Sequence, residues 1–331
     1  MERRGFFHVL SFCFVVLLTI KLRQGTSRGN LLESSTMQSY PLTKVGEAVV
    51  WNTCTKQASQ CSFNGSFAYI FYIANIAGSV RGAGLSPSES GLTYFEYAKR
   101  AIKRTASLTR YPIIVLCTSE SFWGCSQIIA SSPSHEEQID LIEIDDNIWL
   151  KPFEEHGVKQ KRAKLMHAYG TTQVFNPDYV SNYERLIYMD LDTFLLRNVD
   201  ELFCTNGFAA AKRPLVPLFN GGVFVYSPSR NVYDKMLSLM IEYMKEPGEK
   251  KFAMQAILHK LFGQRYYCIN PTYNCGGFCG ANEKCSMLSA KCGIKNEMDL
   301  FVKGAIIHSK IAESHLRQEF PNLYALWLSY G

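Results

Sequence analysis

The chain has 331 residues, 47% of them hydrophobic and 19% charged, with a formal net charge of +6. That composition excludes a chain dominated by disorder and leaves room for one large domain or two small ones. The positive excess is mild, and no dense Lys/Arg stripe with interleaved aromatics occurs, so nothing in the charge calls for a nucleic-acid partner.

At the amino terminus, Arg3 and Arg4 precede an apolar run over 5–20, and Lys21 and Arg23 follow it. A charged n-region followed by an apolar h-region is the pattern of an export signal. No small-x-small cleavage site follows cleanly. The first expectation is an uncleaved anchor over 1–23, giving a single-pass type II protein of the Golgi or endoplasmic reticulum membrane. The alternative is a cleaved signal and a secreted protein. A helix of about 16 residues spans only about 24 Å, which suits the thinner membranes of the early secretory pathway. Residues 24–66 are rich in Ser, Thr, Gly and Gln and read as a luminal stem, with Cys54 and Cys61 tying one small loop. Cys13 lies in the apolar run, and the other ten cysteines form an even set, which reads as disulfides in an exported chain. Asn64-Gly65-Ser66 is an N-glycosylation sequon, making Asn64 a glycan site if the domain is luminal.

The main domain is expected over 67–331. Residues 67–75, FAYIFYIAN, are aromatic and apolar and predict a buried strand ending at Asn75. A Gly- and Ser-rich loop over 78–91 leads to helical spacing over 93–108, which includes Tyr97. Residues 111–117 and 139–144 predict two inner parallel strands of an α/β sheet. A helix carrying Lys164 is expected over 160–170. Further on, Asn220-Gly221-Gly222 opens a strand that runs towards Pro228, and helices are expected over 231–246 and 251–262. Tyr273-Asn274 closes a short segment. A Gly-rich stretch with four cysteines, over 275–292, reads as two local disulfides rather than a zinc site, since no CxxC pair is present. A last strand over 304–310 ends near His308.

The stretch over 185–203, RLIYMDLDTFLLRNVDELF, dominates the reading. Its apolar start has the character of a buried parallel strand, and it stops at Asp190-Leu191-Asp192. In an extended chain the two carboxylates share one face, about 7 Å apart. Two such charges call for a hard divalent cation between them, and ligands of open α/β sheets bind beyond the carboxyl ends of strands. Glu143-Ile144-Asp145 is a rival, since it also ends an apolar run.

YMDLDTFLLRNVDELF resembles the metal-binding strand of glycosyltransferase family eight, the glycogenin and galactinol synthase group. Thr193, Asp200, Glu201, Leu202 and Phe203 all match that pattern, and FNGGVFV resembles a second family segment. The resemblance implies a GT-A type, Rossmann-like α/β fold with a mainly parallel central sheet. It implies a retaining transferase that moves a hexose or related sugar from a UDP-sugar to an acceptor hydroxyl on a glycan, polyol or glycoprotein. It implies Mn²⁺, or Mg²⁺, held by Asp190, Asp192 and His308, and Gln255 with Asn220 as the groups that hold the reacting sugar. Donor contacts are implied for Asn75, for Tyr97 stacked on uracil, for Lys164, Leu191, Gly221, Gly222 and Asn274, and for Lys310. One departure stands out: the family's Asp-Gln pair is Met254-Gln255 here. That substitution also admits a competing reading, a luminal nucleotide-sugar-binding protein with little or no turnover.

Overall fold

A computed structural model describes residues 65–74, 94–157, 169–212, 218–245, 253–263, 265–275, 294, 296–308, 317–318 and 320–331. All belong to one compact unit, Trp51–Gly331. The expected anchor, the stem up to Asn64, and Asn75, Lys164, Lys310, Cys279, Cys285 and Cys292 lie outside the described residues. Among the described residues, no helix is long and apolar enough to cross a membrane.

The first strand, β1 (Phe67–Ile73), is buried along its whole length. Its side chains alternate between two cores. Phe67, Tyr69, Phe71 and Ile73 enter one, and Ala68, Ile70 and Tyr72 enter the other. This period of two is what a strand covered on both faces must show. Helix α1 (Tyr94–Leu108) packs Ala98, Ala101, Ile102 and Ala106 into the first core. Strand β2 (Ile113–Thr118) leads to α2 (Phe122–Ala130), and a Cys117–Cys125 disulfide joins the two. Cys204, Cys268 and Cys275 are half-cystines as well.

Next come β3 (Ile139–Ile144), α3 (Asp146–Glu155), β4 (Arg185–Met189), β5 (Thr193–Leu195), β6 (Ala209–Lys212) and β7 (Phe219–Tyr226). Helices α4 (Arg230–Lys245) and α5 (Ala253–Phe262) cover the second core. The chain continues through β8 (Tyr267–Ile269), α6 (Glu297–Lys303), β9 (Ile306–His308) and α7 (Pro321–Leu328).

Seven strands form one sheet in the order β3-β2-β1-β4-β7-β6-β8, and β5 pairs with β9 in a second, two-stranded sheet. From β3 to β4 all neighbours are parallel. Strand β7 runs antiparallel to both β4 and β6, and β6 is parallel to β8. The sheet is mostly parallel, as expected. The strand over 139–144 is not an inner one, however. It is the edge, and its Asp140 and Glu143 are exposed, which only an uncovered edge tolerates cheaply. After β1 the chain builds outward through β2 to β3, then returns to place β4 on the other side of β1. The carboxyl ends of β1 and β4 therefore flank a topological switch point, the usual place for a ligand in such sheets.

Asp200, in the acidic pair that follows β5, has a structural task. Its carboxylate accepts hydrogen bonds from Tyr69 (2.7 Å), Thr109 Oγ1 (2.7 Å) and Asn198 Nδ2 (2.7 Å). Burial, and then the charge of Asp200, pushes the Tyr69 hydroxyl well above its ordinary pKa, so it remains a donor. Asp200→Ala strands all three donors and should destabilise the domain by about 3 kcal/mol in urea unfolding. A loss under about 1 kcal/mol would show that the network contributes little.

Candidate active site

Strand β4 ends at Met189, and the chain then turns. The Thr193 amide and its Oγ1 both donate to the Asp190 carbonyl, at 3.1 and 2.6 Å. Asp190-Leu191-Asp192 is therefore a turn, not an extended segment, which corrects the extended geometry inferred from the sequence. Leu191 is buried in the first core. The turn redirects the chain into β5, whose Thr193 lies opposite His308 of β9. That register delivers the histidine to the carboxylates. His308 Nε2 lies 3.2 Å from Asp192 Oδ1 and 3.5 Å from Asp190 Oδ2. One ligand atom from each of the three falls within 4.8 Å of the others. His308 and Asp192 are largely buried, at 12% and 10% side-chain exposure, and Asp190 faces outward at 36%.

The donor set fits a divalent cation. Two carboxylate oxygens and an imidazole nitrogen suit Mn²⁺ or Mg²⁺, and their spacing lets a cation with ligands at about 2.0–2.6 Å bridge them. The rival pair resolves differently. Asp145 caps α3, accepting from the Asn147 amide at 2.9 Å, and Glu143 is exposed on the edge strand.

Several of the expected donor-site residues gather around this cluster. The Asp190 amide donates to the Gly222 carbonyl at 2.8 Å. Asn220 Oδ1 accepts from the Gly222 amide (2.7 Å) and from Asn274 Nδ2 (3.2 Å), and Asn274 Oδ1 lies 2.9 Å from His308 Nδ1. Gln255, on α5, accepts from the Gly221 amide at 3.3 Å. Its neighbour Met254 is partly buried and packs against the second core. Tyr97 also has an apolar neighbour: its ring lies 5.7 Å from that of Trp327, tilted by 47°.

Tyr188 escaped the sequence reading. Its hydroxyl donates to Asp190 Oδ1 at 2.5 Å. The signal was available, since residues two apart on a strand share a face. Tyr273 was singled out only through its neighbour Asn274. It donates to Glu201 Oε1 at 2.8 Å, and the Arg197 guanidinium sits over its ring at 5.4 Å. Burial is the main reason its hydroxyl titrates above the ordinary value.

The two glycines have different reasons to be there. A Cβ on Gly222 would sit 2.0 Å from His308 Cε1, inside the ring's own volume. A Cβ on Gly221 would meet Leu258 and Gln255 at ordinary contact distances, 3.6 and 3.7 Å. Neither has the positive φ that would call for glycine on backbone grounds. Gly222→Ala should therefore push the His308 ring aside and weaken Mn²⁺ binding by tenfold or more, on the order of other orientation defects at metal sites. Gly221→Ala should stay near wild type. Calorimetric Mn²⁺ titration of both variants checks this, and equal affinities would refute the steric account.

No family model matches the chain. Human glycogenin-1 is 29% identical over 171 residues, covering 50% of this chain and 45% of the relative. Human glycogenin-2 is 37% identical over 84 residues, covering 25% and 16%. The chain thus spans less than half the length of these curated relatives. Among solved structures, the galactosyltransferase LgtC in complex with donor and acceptor sugar analogues has a TM-score of 0.52 at 14% identity, covering 80% of this chain and 94% of that one. The WbbM bifunctional glycosyltransferase has a TM-score of 0.53 at 13% identity, covering 82% and 52%. These structural likenesses concern the fold, which is GT-A. Sequence likeness to the glycogenins, with a fold like that of the GT-A transferases, supports a glycosyltransferase family eight-like protein.

Proposed function

We propose that this chain is a divalent-cation-dependent, retaining transferase that moves a sugar from a UDP-sugar to an acceptor hydroxyl. The observation that carries the reading is the Asp190–Asp192–His308 cluster at the switch point of a GT-A sheet. These three residues would hold Mn²⁺, or Mg²⁺ in its place. Held there, such a cation would supply positive charge to offset the negative charge that develops on departing UDP.

The chain's own groups would do the rest. Gln255, with its carboxamide oxygen taken by the Gly221 amide, can offer its nitrogen to a sugar hydroxyl. Asn220, with its oxygen doubly occupied, can do the same. Lys164 and Lys310 would meet phosphate oxygens, Asn75 and Tyr97 would line the nucleotide side, and Leu191, its side chain held in the first core, would offer only its backbone. The acceptor would be a glycan, polyol or glycoprotein hydroxyl.

A secretory-pathway setting accords with the Cys117–Cys125 disulfide and the three further half-cystines. It would make Asn64 a glycan site and 1–23 a membrane anchor. One observation favours a second reading, a nucleotide-sugar-binding protein with weak turnover: Met254 packs against the apolar core where the resembling family has a carboxylate.

UDP release from a panel of UDP-sugars, with and without Mn²⁺, separates the two. Transferase activity predicts Mn²⁺-dependent release with at least one donor, abolished in folded Asp192→Asn. Tight Mn²⁺-dependent UDP binding without release from any donor would establish the binding protein. UDP affinity in Mn²⁺ left intact by Asp192→Asn would refute the metal assignment.

A further inference from the structure

A relay of hydrogen bonds runs from the backbone to the third metal ligand, and its polarity can be read without ambiguity. It starts at the Gly222 amide, which can only donate. Its partner atom on Asn220 must be the carbonyl oxygen. That same oxygen faces Asn274 at 3.2 Å, so the facing atom of Asn274 must be its NH₂. The other end of the Asn274 carboxamide is then an oxygen, 2.9 Å from His308 Nδ1. An oxygen that only accepts requires a proton on Nδ1, leaving Nε2 as the nitrogen that can ligate a cation. Nε2 is the ring atom directed at Asp190 and Asp192.

Asn274 is itself held. It closes the short 3-10 turn Pro271–Asn274, and the residue before it, Tyr273, is fixed by Glu201 at 2.8 Å and by Arg197 at 3.3 Å. Arg197 and Glu201 are paired with each other at 2.5 Å. Both belong to the segment that follows β5. The acidic pair that follows β5 thus divides its work. Asp200 braces the first core, and Glu201 reaches the turn that carries Asn274.

We propose that Asn274 is a positioning residue for His308, rather than a donor-sugar contact. Oriented by Gly222 through Asn220, it keeps the ring proton on Nδ1 and turns Nε2 towards the two aspartates. Glu201, through Tyr273, holds Asn274 in that place. The proposal rests on the metal reading of the cluster, but the protonation of Nδ1 is a property of the metal-free protein.

Two measurements test it. In metal-free protein labelled with ¹⁵N-histidine, the His308 signal, assigned through His308→Gln, should show a slowly exchanging Nδ1–H. Asn274→Ala should abolish that signal, and Asn274→Asp, which still accepts from Nδ1, should keep it. A wild-type His308 whose Nδ1 carries no proton overturns the proposal. In the second measurement, free Mn²⁺ is counted by electron paramagnetic resonance. Asn274→Ala should weaken Mn²⁺ binding about 10- to 100-fold, Asn274→Asp should restore it, and in a His308→Ala background Asn274→Ala should cost nothing more. An equal loss in both backgrounds would mean a general structural defect and would also overturn the proposal. If wild type shows the Nδ1–H but takes up no Mn²⁺, the relay stands and the metal reading falls.

Discussion

Two like charges at the end of a buried strand are a liability unless a third group joins them, and the pairing of β5 with β9 is what brings that group. Thr193 sits opposite His308 in a sheet of only two short strands. The turn at Asp190–Thr193 makes the pairing feasible, because it swings the chain out of the large sheet immediately after the first carboxylate. Clamps surround the small sheet. Arg104 of α1 donates to the carbonyls of Leu195 and Leu196 at 2.8 and 3.0 Å and to the Tyr330 hydroxyl at 2.8 Å. Cys275 receives the His308 amide and donates to the Ile306 carbonyl. A third apolar cluster, with Phe194, Ile307 and Trp327, closes over it. The geometry of the cluster is set by this second sheet, although the large sheet contributes most of the burial.

The carboxylate pair was legible because it interrupts an apolar run, and His308 was legible through family likeness at the end of the last strand. The departure from an extended chain at Asp190 was not, since a turn there depends on Thr193 bonding back to one carbonyl. The edge position of β3 was misjudged for a related reason. Its apolar residues at 139, 141, 142 and 144 read as continuous, and the charges at 140 and 143 discriminate only once the neighbours are known. Asn274 and Tyr273 lie far in sequence from their partners Asn220, His308 and Glu201. No local pattern announces such partnerships: family likeness singled out Asn274, and only the fold shows its hydrogen bonds to Asn220 and His308.

Gly222 shows how differently sequence and structure can explain one residue. Next to another glycine and before a strand, it reads as backbone freedom for a close ligand approach. In the fold, the space a methyl group would need is already filled by the His308 ring.

The closing of β9 onto β5 also bears on how the protein comes to be made. Strand β9 follows every strand of the large sheet in chain order, so during synthesis β5 exists before its partner does. A chain whose large sheet has assembled, but whose last strand has not docked, would present two aspartates without the imidazole. A cation that prefers the three-ligand cluster binds the finished fold more tightly than this unfinished one, and it stabilises the finished fold by mass action. Cation supply during synthesis would then influence the yield of native protein, separately from any part the ion plays afterwards.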